Sequence, residues 1–466
     1  MKKIWMICIC AFCCGGCMMG PQYKRPALDL PAEAEPAVWD EFLQTQWWQL
    51  FEDETLNELE ERALKNNQNL QAALARVEQA RAAVGVAAAD RWPVLNAEFS
   101  GGRQGDKNNS WQSTSQAGGA LSFELDLWGK YRRLTQAARA EWMSSQATRD
   151  ATYLTLTAEV ATQYFNLRKL EEQIAIARRT WTAREENVRI YTNRYDTGYC
   201  SEVDLRRIEA NRDSVRAQLY TLELQRAQAE TALSVLVGNS PREMRNFVLP
   251  SGKKVEDIFL VPQVPEYLPS DLLSRRPDIV AAEENLRSAN ANIGAVRAAY
   301  FPSISLSAFA GYQSGVLNEI FRHANESWNG TGNVLAPLFA GGKIRAQNRK
   351  ARAVYKEKLA DYLNTVQTAF KEAADALAAD KWSRAVFEAY AAQVQAMQRS
   401  YELTRKQADA GYIGVTDLLN VEETLLSAQM NVVQARTDEL SALVNVCKAF
   451  GGGWRENGGF SAGKSE

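Results

Sequence analysis

The chain has 466 residues, 54 Lys and Arg against 56 Asp and Glu, one His and seven Cys, with a formal charge of -2. That near balance lacks the Lys and Arg excess of a phosphate-binding face, so the chain is not expected to bind nucleic acid. A lone His, His323, speaks against a His-ligated metal centre and a Ser-His-Asp hydrolase, and nothing in the composition asks for a cofactor.

Residues 1–16 form an export signal: Lys2 and Lys3 precede an apolar run from Ile4 to Cys14, followed by Gly15 and Gly16. Cys14-Gly15-Gly16-Cys17 resembles a bacterial lipoprotein processing site, with Cys14 where Leu is usual. That resemblance makes Cys17 the lipidated first residue of the mature chain. Met18 follows in place of a retaining Asp, which implies delivery to the outer membrane. A Cys-rich ordinary signal peptide is the alternative. Residues 17–54 are expected to form an extended segment. Besides Cys17 the mature chain keeps Cys200 and Cys447, too few for a disulfide framework. No later run approaches the ~18 apolar residues of a transmembrane helix.

The rest of the chain contains itself twice. Gly129-Lys130-Tyr131-Arg132 returns as Gly342-Lys343-Ile344-Arg345, Gly198-Tyr199 as Gly411-Tyr412, Asp204-Leu205 as Asp417-Leu418, and Gly238 as Gly451. The spacing of these pairs is 213 residues; upstream, Gly85 and Pro93 match Gly294 and Pro302 at a spacing of 209, so one hairpin loop has gained four residues. The repeats are placed at 55–240 and 270–453, with a linker at 241–269 and a tail at 454–466.

Each repeat is expected to open with a helix, Thr55 to Trp92 or Ser270 to Phe301, followed by two strands. The first pair is placed at about 94–102 and 117–127 and the second at about 303–312 and 331–339, where apolar and polar residues alternate as in Ser122-Phe123-Glu124-Leu125. A long helix then runs from Tyr131 to Thr197 or from Lys343 to Ala410, stretches free of Gly and Pro. In the first, Leu154, Ala158, Ala161 and Phe165, then Leu170, Ile174, Ala177 and Trp181, recur at coiled-coil spacing. At 1.5 Å per residue such a helix spans about 100 Å. The chain turns at Gly198 and Gly411, and shorter helices return through Val215, Leu219, Leu222, Ala229, Leu233 and Leu236, and from Val415 to Phe450.

Strands of about 9 to 11 residues with aromatics at their ends (Trp92, Trp128, Tyr131, Tyr300, Phe301, Phe339) suit a membrane barrel with an interfacial girdle. A globular sheet would give the same alternation. Four strands do not close, since the smallest membrane barrels have about eight, whereas three copies supply twelve.

Several segments carry a family likeness: Gly20-Pro21-Gln22-Tyr23-Lys24-Arg25-Pro26, Trp47-Trp48 with Phe51, Glu124-Leu125-Asp126-Leu127-Trp128-Gly129, Leu273-Ser274-Arg275-Arg276-Pro277-Asp278-Ile279, Asn290-Ala291-Asn292-Ile293-Gly294 and Tyr300-Phe301-Pro302. With the duplication they make the chain resemble the TolC-like outer-membrane efflux factors, in the lipoprotein branch serving resistance-nodulation-division pumps. The resemblance implies a mainly α fold with a membrane β-barrel portion. Its homotrimer shares one twelve-stranded outer-membrane barrel and a long periplasmic α-helical barrel. It also implies a passive exit duct for small molecules, in outer-membrane lipid, docked by a periplasmic adaptor (membrane fusion) protein and an inner-membrane resistance-nodulation-division transporter. The periplasmic aperture is then formed at the turns Gly198-Tyr199 and Gly411-Tyr412. Asp204 and Asp417 line it, and Asn420 stands where the family has a further Asp. Arg194 and Arg405, just before the turns, are candidate compensating charges. Ser201-x-x-Asp204 is equally a helix-capping pattern.

Other signals are weak. Gly341-Gly342-Lys343 lacks the upstream Gly and the following Ser or Thr of a phosphate loop and is expected to turn a strand into a helix. Glu171-Glu172 and Glu283-Glu284 are expected on solvated helix faces. Arg275-Arg276 supports a helix start, and His323 lies in an outer loop. A structural coiled-coil lipoprotein would explain helices and anchor but not strands, an exported enzyme would need a polar constellation not found, and a type I protein-secretion duct is the second conduit reading.

Overall fold

The computed structural model describes residues 18–28, 46–105, 111–247, 249, 252–258 and 276–452. Cys17 and the signal segment, the linker from residue 259, the start of the second repeat and the tail lie outside the described residues. The elements are α1 (Glu54–Asn66), α2 (Gln68–Ala89), β1 (Val94–Gly105), β2 (Trp111–Glu124), α3 (Lys130–Asp196), α4 (Glu202–Leu236), the short α5 (Pro241–Met244), α6 (Pro277–Ala298), β3 (Ser303–Ser314), β4 (Glu326–Leu335), α7 (Lys343–Asp409) and α8 (Val415–Ala449).

The duplication is kept to the residue. Adding 213 to the bounds of α3 and α4 gives those of α7 and α8, and adding 209 to those of α2 and β1 gives those of α6 and β3. The predicted opening helix is interrupted. Asn67 leaves α1 in an extended conformation, accepts bonds from the amides of Asn69 and Leu70 to cap α2, and donates its own amide to the Leu236 carbonyl. β2 starts and ends earlier than predicted. Asp126 is not a strand residue, because its carboxylate accepts from the amides of Tyr131 and Arg132 and caps α3. β4 likewise ends at Leu335, two residues before Pro337, which has no amide to donate.

All four strands pair antiparallel in the order β1-β2-β3-β4. The register puts Leu95, Ala97 and Phe99 beside Leu121, Gly119 and Ala117, which lie beside Ala308, Ala310 and Tyr312; Leu306 and Ala310 face Gly332 and Trp328 on β4. One face is therefore apolar across these rows of the sheet, and it turns polar at the far end with Arg103, Ser113, Ser115, Ser314 and Glu326. The other carries Asn96, Glu98, Ser122, Gln116, Ser305, Ser307, Asn333 and Thr331. Phe309 breaks that polar row. Its ring lies over Gly118 and Gly311, with Cζ 2.8 and 2.9 Å from where their Cβ atoms would sit, so the ring occupies space that glycine leaves. The predicted aromatic girdle is divided. Trp92 and Phe339 are exposed, whereas Trp128 stacks on Phe301 with centroids 4.7 Å apart and donates to the Pro302 carbonyl, fixing the strand-to-helix junction.

Two compact units recombine the repeats: one holds residues 75–147 and 280–365 with the N-terminal segment to 28, the other 148–279 and 366–452 with the segment to 74. In the first, residues 18–28 lie along the helices as a strap. Met19 donates to the Trp128 carbonyl, Arg133 to the carbonyls of Met19 and Gly20, Asn290 to that of Pro21, and Arg25 pairs with Glu283. Gly20 passes so close to Gly294 that a Cβ would lie 2.4 Å from its Cα, which is why the strap carries glycine there.

In the second unit the heptad positions of α3 from Leu154 to Ala177 are buried, as are those of α4 from Val215 to Leu233. Trp47, Trp48 and Phe51 close this core, with Phe51 4.9 Å from Phe165. Asp53 caps α1 through the amides of Thr55 and Leu56 and accepts from the Tyr164 hydroxyl at 2.6 Å. Full burial of each large apolar side chain contributes about 1.5–3 kcal/mol, so the aromatic cluster is a principal brace of this end of α3. Arg276, predicted to support a helix start, is buried and bonds Asp278, Glu372 and the Ala449 carbonyl.

One member of this core resists it. Glu60 is fully buried and neither carboxylate oxygen has a partner, so desolvation drives its pKa well above 4.5. The folded chain then holds a proton that the unfolded chain releases above about pH 4.5. Its penalty is absent below that value and grows as pH rises toward the folded value. Glu60→Leu is expected to raise stability at pH 8 by about 2 kcal/mol and to flatten the loss between pH 5 and 8, read from thermal unfolding midpoints at the two pH values.

Candidate functional site

The two turns are built alike from the backbone upward. α3 ends with Gly198 at φ 76°, the Gly198 amide donating to the Tyr195 carbonyl and the Tyr199 amide to that of Arg194 at 2.7 Å. α7 ends with Gly411 at φ 80°, and the corresponding bonds run from Gly411 to Ala408 and from Tyr412 to Gln407. Both are Schellman closures, in which a left-handed residue lets the chain reverse and satisfies the last helical carbonyls. Tyr199 and Tyr412 stand at these ends 85 and 84% exposed.

The return helices differ. Ser201 caps α4, accepting from the Asp204 amide, and its hydroxyl donates to the Asp204 carboxylate at 2.7 Å. Gly414 occupies the equivalent place before α8 and offers no side-chain cap. Asp417 is exposed, its amide bonding the Gly414 carbonyl, and Asn420 is exposed one turn further on. Asp204 is thus engaged in capping, while the carboxylate of Asp417 faces solvent. The predicted compensating arginines do not reach these acids. Arg194 lies 4.9 Å over the Tyr191 ring, and Arg405 acts on Glu422 and Tyr401.

Above the turns lies a polar layer that the motif reading missed. Arg184 of α3 is buried, donates to the Asn211 carbonyl of α4 at 2.8 Å and lies 3.9 Å from Glu422 of α8. Burial lowers the Arg184 pKa and raises that of Glu422, against the pull of Arg184, Tyr401 and Arg405. Closer to the turns Arg207 of α4 donates to the Thr416 hydroxyl of α8 at 2.8 Å. Toward the turns these two contacts cross between the repeats. The signal was present: Arg184 follows Leu170, Ile174, Ala177 and Trp181 at the next heptad position, where a charge has no ordinary place.

Among the described residues no cluster of His, Cys, Asp and Glu suits a metal, and no helix is long and apolar enough to cross a membrane. The turn site is a surface of backbone closures and carboxylates.

Gly198→Ala and Gly411→Ala meet open space but strain a left-handed backbone, at about 1–2 kcal/mol each. Ser201→Ala is expected to cost about 1 kcal/mol at the first turn of α4. Gly414→Ser would restore a cap to α8. Hydrogen exchange of the amides of residues 202–206 and 415–419 checks both directions.

The profile of the family described as outer membrane efflux protein matches residues 59–239 and 268–452, one match for each repeat. The toluene efflux pump outer membrane protein TtgC of Pseudomonas putida is 32% identical over 478 residues, covering 98% of this chain and 97% of its own. A relative from Salmonella typhimurium named "Probable outer membrane lipoprotein SilC" is 31% identical over 458 residues, covering 96 and 97%. Among solved structures, the Campylobacter jejuni CmeC outer membrane channel superposes with a TM-score of 0.87 at 28% identity, covering 94% of this chain and 95% of that one.

Proposed function

The chain belongs to the outer membrane efflux protein family, and from that premise we propose that three copies form the exit duct of a tripartite pump. It is an outer-membrane efflux channel, and the finer reading concerns its assembly, its anchor and its gate. The observation that carries the assembly is the sheet: four strands, one apolar face, one polar face and two unpaired edges. Pairing β4 of one copy with β1 of the next satisfies both edges, and three copies close twelve strands around a polar lumen. The partners in this reading are a periplasmic adaptor and an inner-membrane resistance-nodulation-division transporter, which supplies the energy. Drugs and other small molecules are the cargo class, in keeping with the toluene pump named for one relative. Acylation of Cys17 supplies the lipid anchor, as the lipoprotein name of another relative suggests.

The gate is assigned to the turns. Threefold symmetry brings three copies of Asp204 and of Asp417 toward one axis, where an acidic ring draws cations and repels anions. The Arg184–Glu422 and Arg207–Thr416 contacts hold the return helices while the channel rests. Docking of the adaptor opens the tip by parting them. Native mass spectrometry of the solubilised channel is expected to count three chains. In single-channel recordings Asp204→Ala with Asp417→Ala should raise resting conductance and weaken cation preference. Wild-type values for both in an intact trimer would leave Asp204 as a helix cap and Asp417 as a surface acid, and refute the gate.

A further inference from the structure

The charge balanced over the whole chain is unbalanced at the start of α7. Lys343–Lys358 holds seven Lys and Arg and one acid, Glu357. Lys358 pairs with Glu357 and Asp361. The other six, Lys343, Arg345, Arg349, Lys350, Arg352 and Lys356, are exposed and form no ion pair among the described residues. Arg345, Arg349, Arg352 and Lys356 follow one another at 4-3-4 spacing and share a helix face, an arrangement of like charges that is repulsive unless something covers it.

The first repeat supplies an internal comparison. At the start of α3, Lys130 pairs with Glu124, Arg132 with Asp126, and Arg133 donates to strap carbonyls. At the 213-residue spacing Glu124 and Asp126 become Pro337 and Phe339, while Gln136, Ala137 and Met143 become Arg349, Lys350 and Lys356. The second junction has lost both acids and gained these three cations, with Ala346 in place of Arg133. Immediately before it, Leu338 and Phe339 are 98 and 92% exposed. An apolar pair followed by a basic helix start is the composition of a segment that sits at a lipid surface.

We infer that the start of α7, with Leu338 and Phe339, binds the phosphate-bearing headgroups of anionic lipids at the periplasmic face of the outer membrane. The inference rests on the reading that the strands span lipid. β4 ends at Leu335, so only the seven residues 336–342 separate the membrane-spanning strand from α7. At 1.5 Å per residue, Lys343, Arg345, Arg349 and Lys350 lie within about 10 Å of the helix start, one Debye length. Arg352 and Lys356 lie about 14 to 20 Å along it. The flexible stems of the nearer four bend toward the surface. Pairing β4 with β1 of the next copy would bring the residues before Val94 alongside, where Asp90 is followed by Arg91 and the stretch has no net charge.

The test uses the full-length channel purified with lipid, counting phosphatidylglycerol against phosphatidylcholine retained in native mass spectrometry. Wild type is expected to prefer phosphatidylglycerol, and to lose the preference at high salt. K343Q/R345Q/R349Q/K350Q should lower the preference about ten-fold, and R352Q/K356Q less than two-fold. The charge-keeping K343R/R345K/R349K/K350R should retain it, which separates loss of charge from loss of fold. An unchanged preference in the first variant, or an equal loss in the second, overturns the inference. So does a change in anion conductance with lipid preference intact, which would put the cations on the duct wall. Failure of the wild-type chain to insert into vesicles of either lipid would instead refute the membrane-spanning reading beneath it.

Discussion

Everything in this molecule is subordinate to the two free edges of its sheet. β1 and β4 each carry backbone amides and carbonyls with no partner on one side. In water such an edge is a liability, and in hydrocarbon each unsatisfied group costs several kcal/mol. The chain has no fifth strand among its described residues to offer, because the elements after β4 are the two helices α7 and α8. Assembly is therefore a condition of residence in the membrane. Pairing of β2 with β3 joins the two repeats within one chain, so each copy brings three finished ladders and leaves one to be made between copies.

The helices show the same incompleteness in another form. α3 buries an almost continuous stripe within its own chain, whereas α7, of equal length, buries only Asn348, Tyr362, Val366, Ala369, Ala373, Ala376 and Asp380. Trp382 and Val386 of α7 are 64 and 45% exposed. Heptad patterning in α7 thus has a hydrophobic content that one chain does not use. Apolar surface on a long helix is stable in a periplasmic protein when a neighbouring helix covers it, which makes the helical part a second consumer of the assembly that the sheet requires.

Much of this was legible in the sequence because duplication and breaker placement are long-range, redundant signals. The absence of Gly and Pro fixed α3 and α7 to within a residue, and Gly198 and Gly411 marked the turns because a Schellman closure demands a left-handed residue. The strands were legible in kind, less so in extent, since Asp126 alternates like a strand residue but caps a helix. Asn67 was hidden because its break depends on a bond to Leu236 in a distant helix. At the tip, Asp204 was legible as an acid near a turn, yet its side chain serves a cap as the Ser201-x-x-Asp204 spacing also implied. The Arg184–Glu422 layer escaped because a heptad reading follows apolar residues and passes over a charge that falls in register.

The breaks in repeat symmetry are more informative than the symmetry. Two copies of one ancestral unit share bounds, turn geometry and capping glycines because the fold requires these in both places. Where they differ, the fold has tolerated either version, and the difference is free to serve something else. Ser201 against Gly414 makes one return helix capped and the other bare. Arg184 against Met397 puts the buried cation on one long helix only, so that Glu422 finds a partner across the repeats while its counterpart Glu209 pairs locally with Arg206. Glu124 and Asp126 against Pro337 and Phe339 leave one helix start neutralised and the other basic. All three asymmetries lie at the ends of the long helices or in the layer just above their turns. In the proposed trimer six repeats would have only threefold symmetry at those places, which is what holding one set of helices while releasing the other would require.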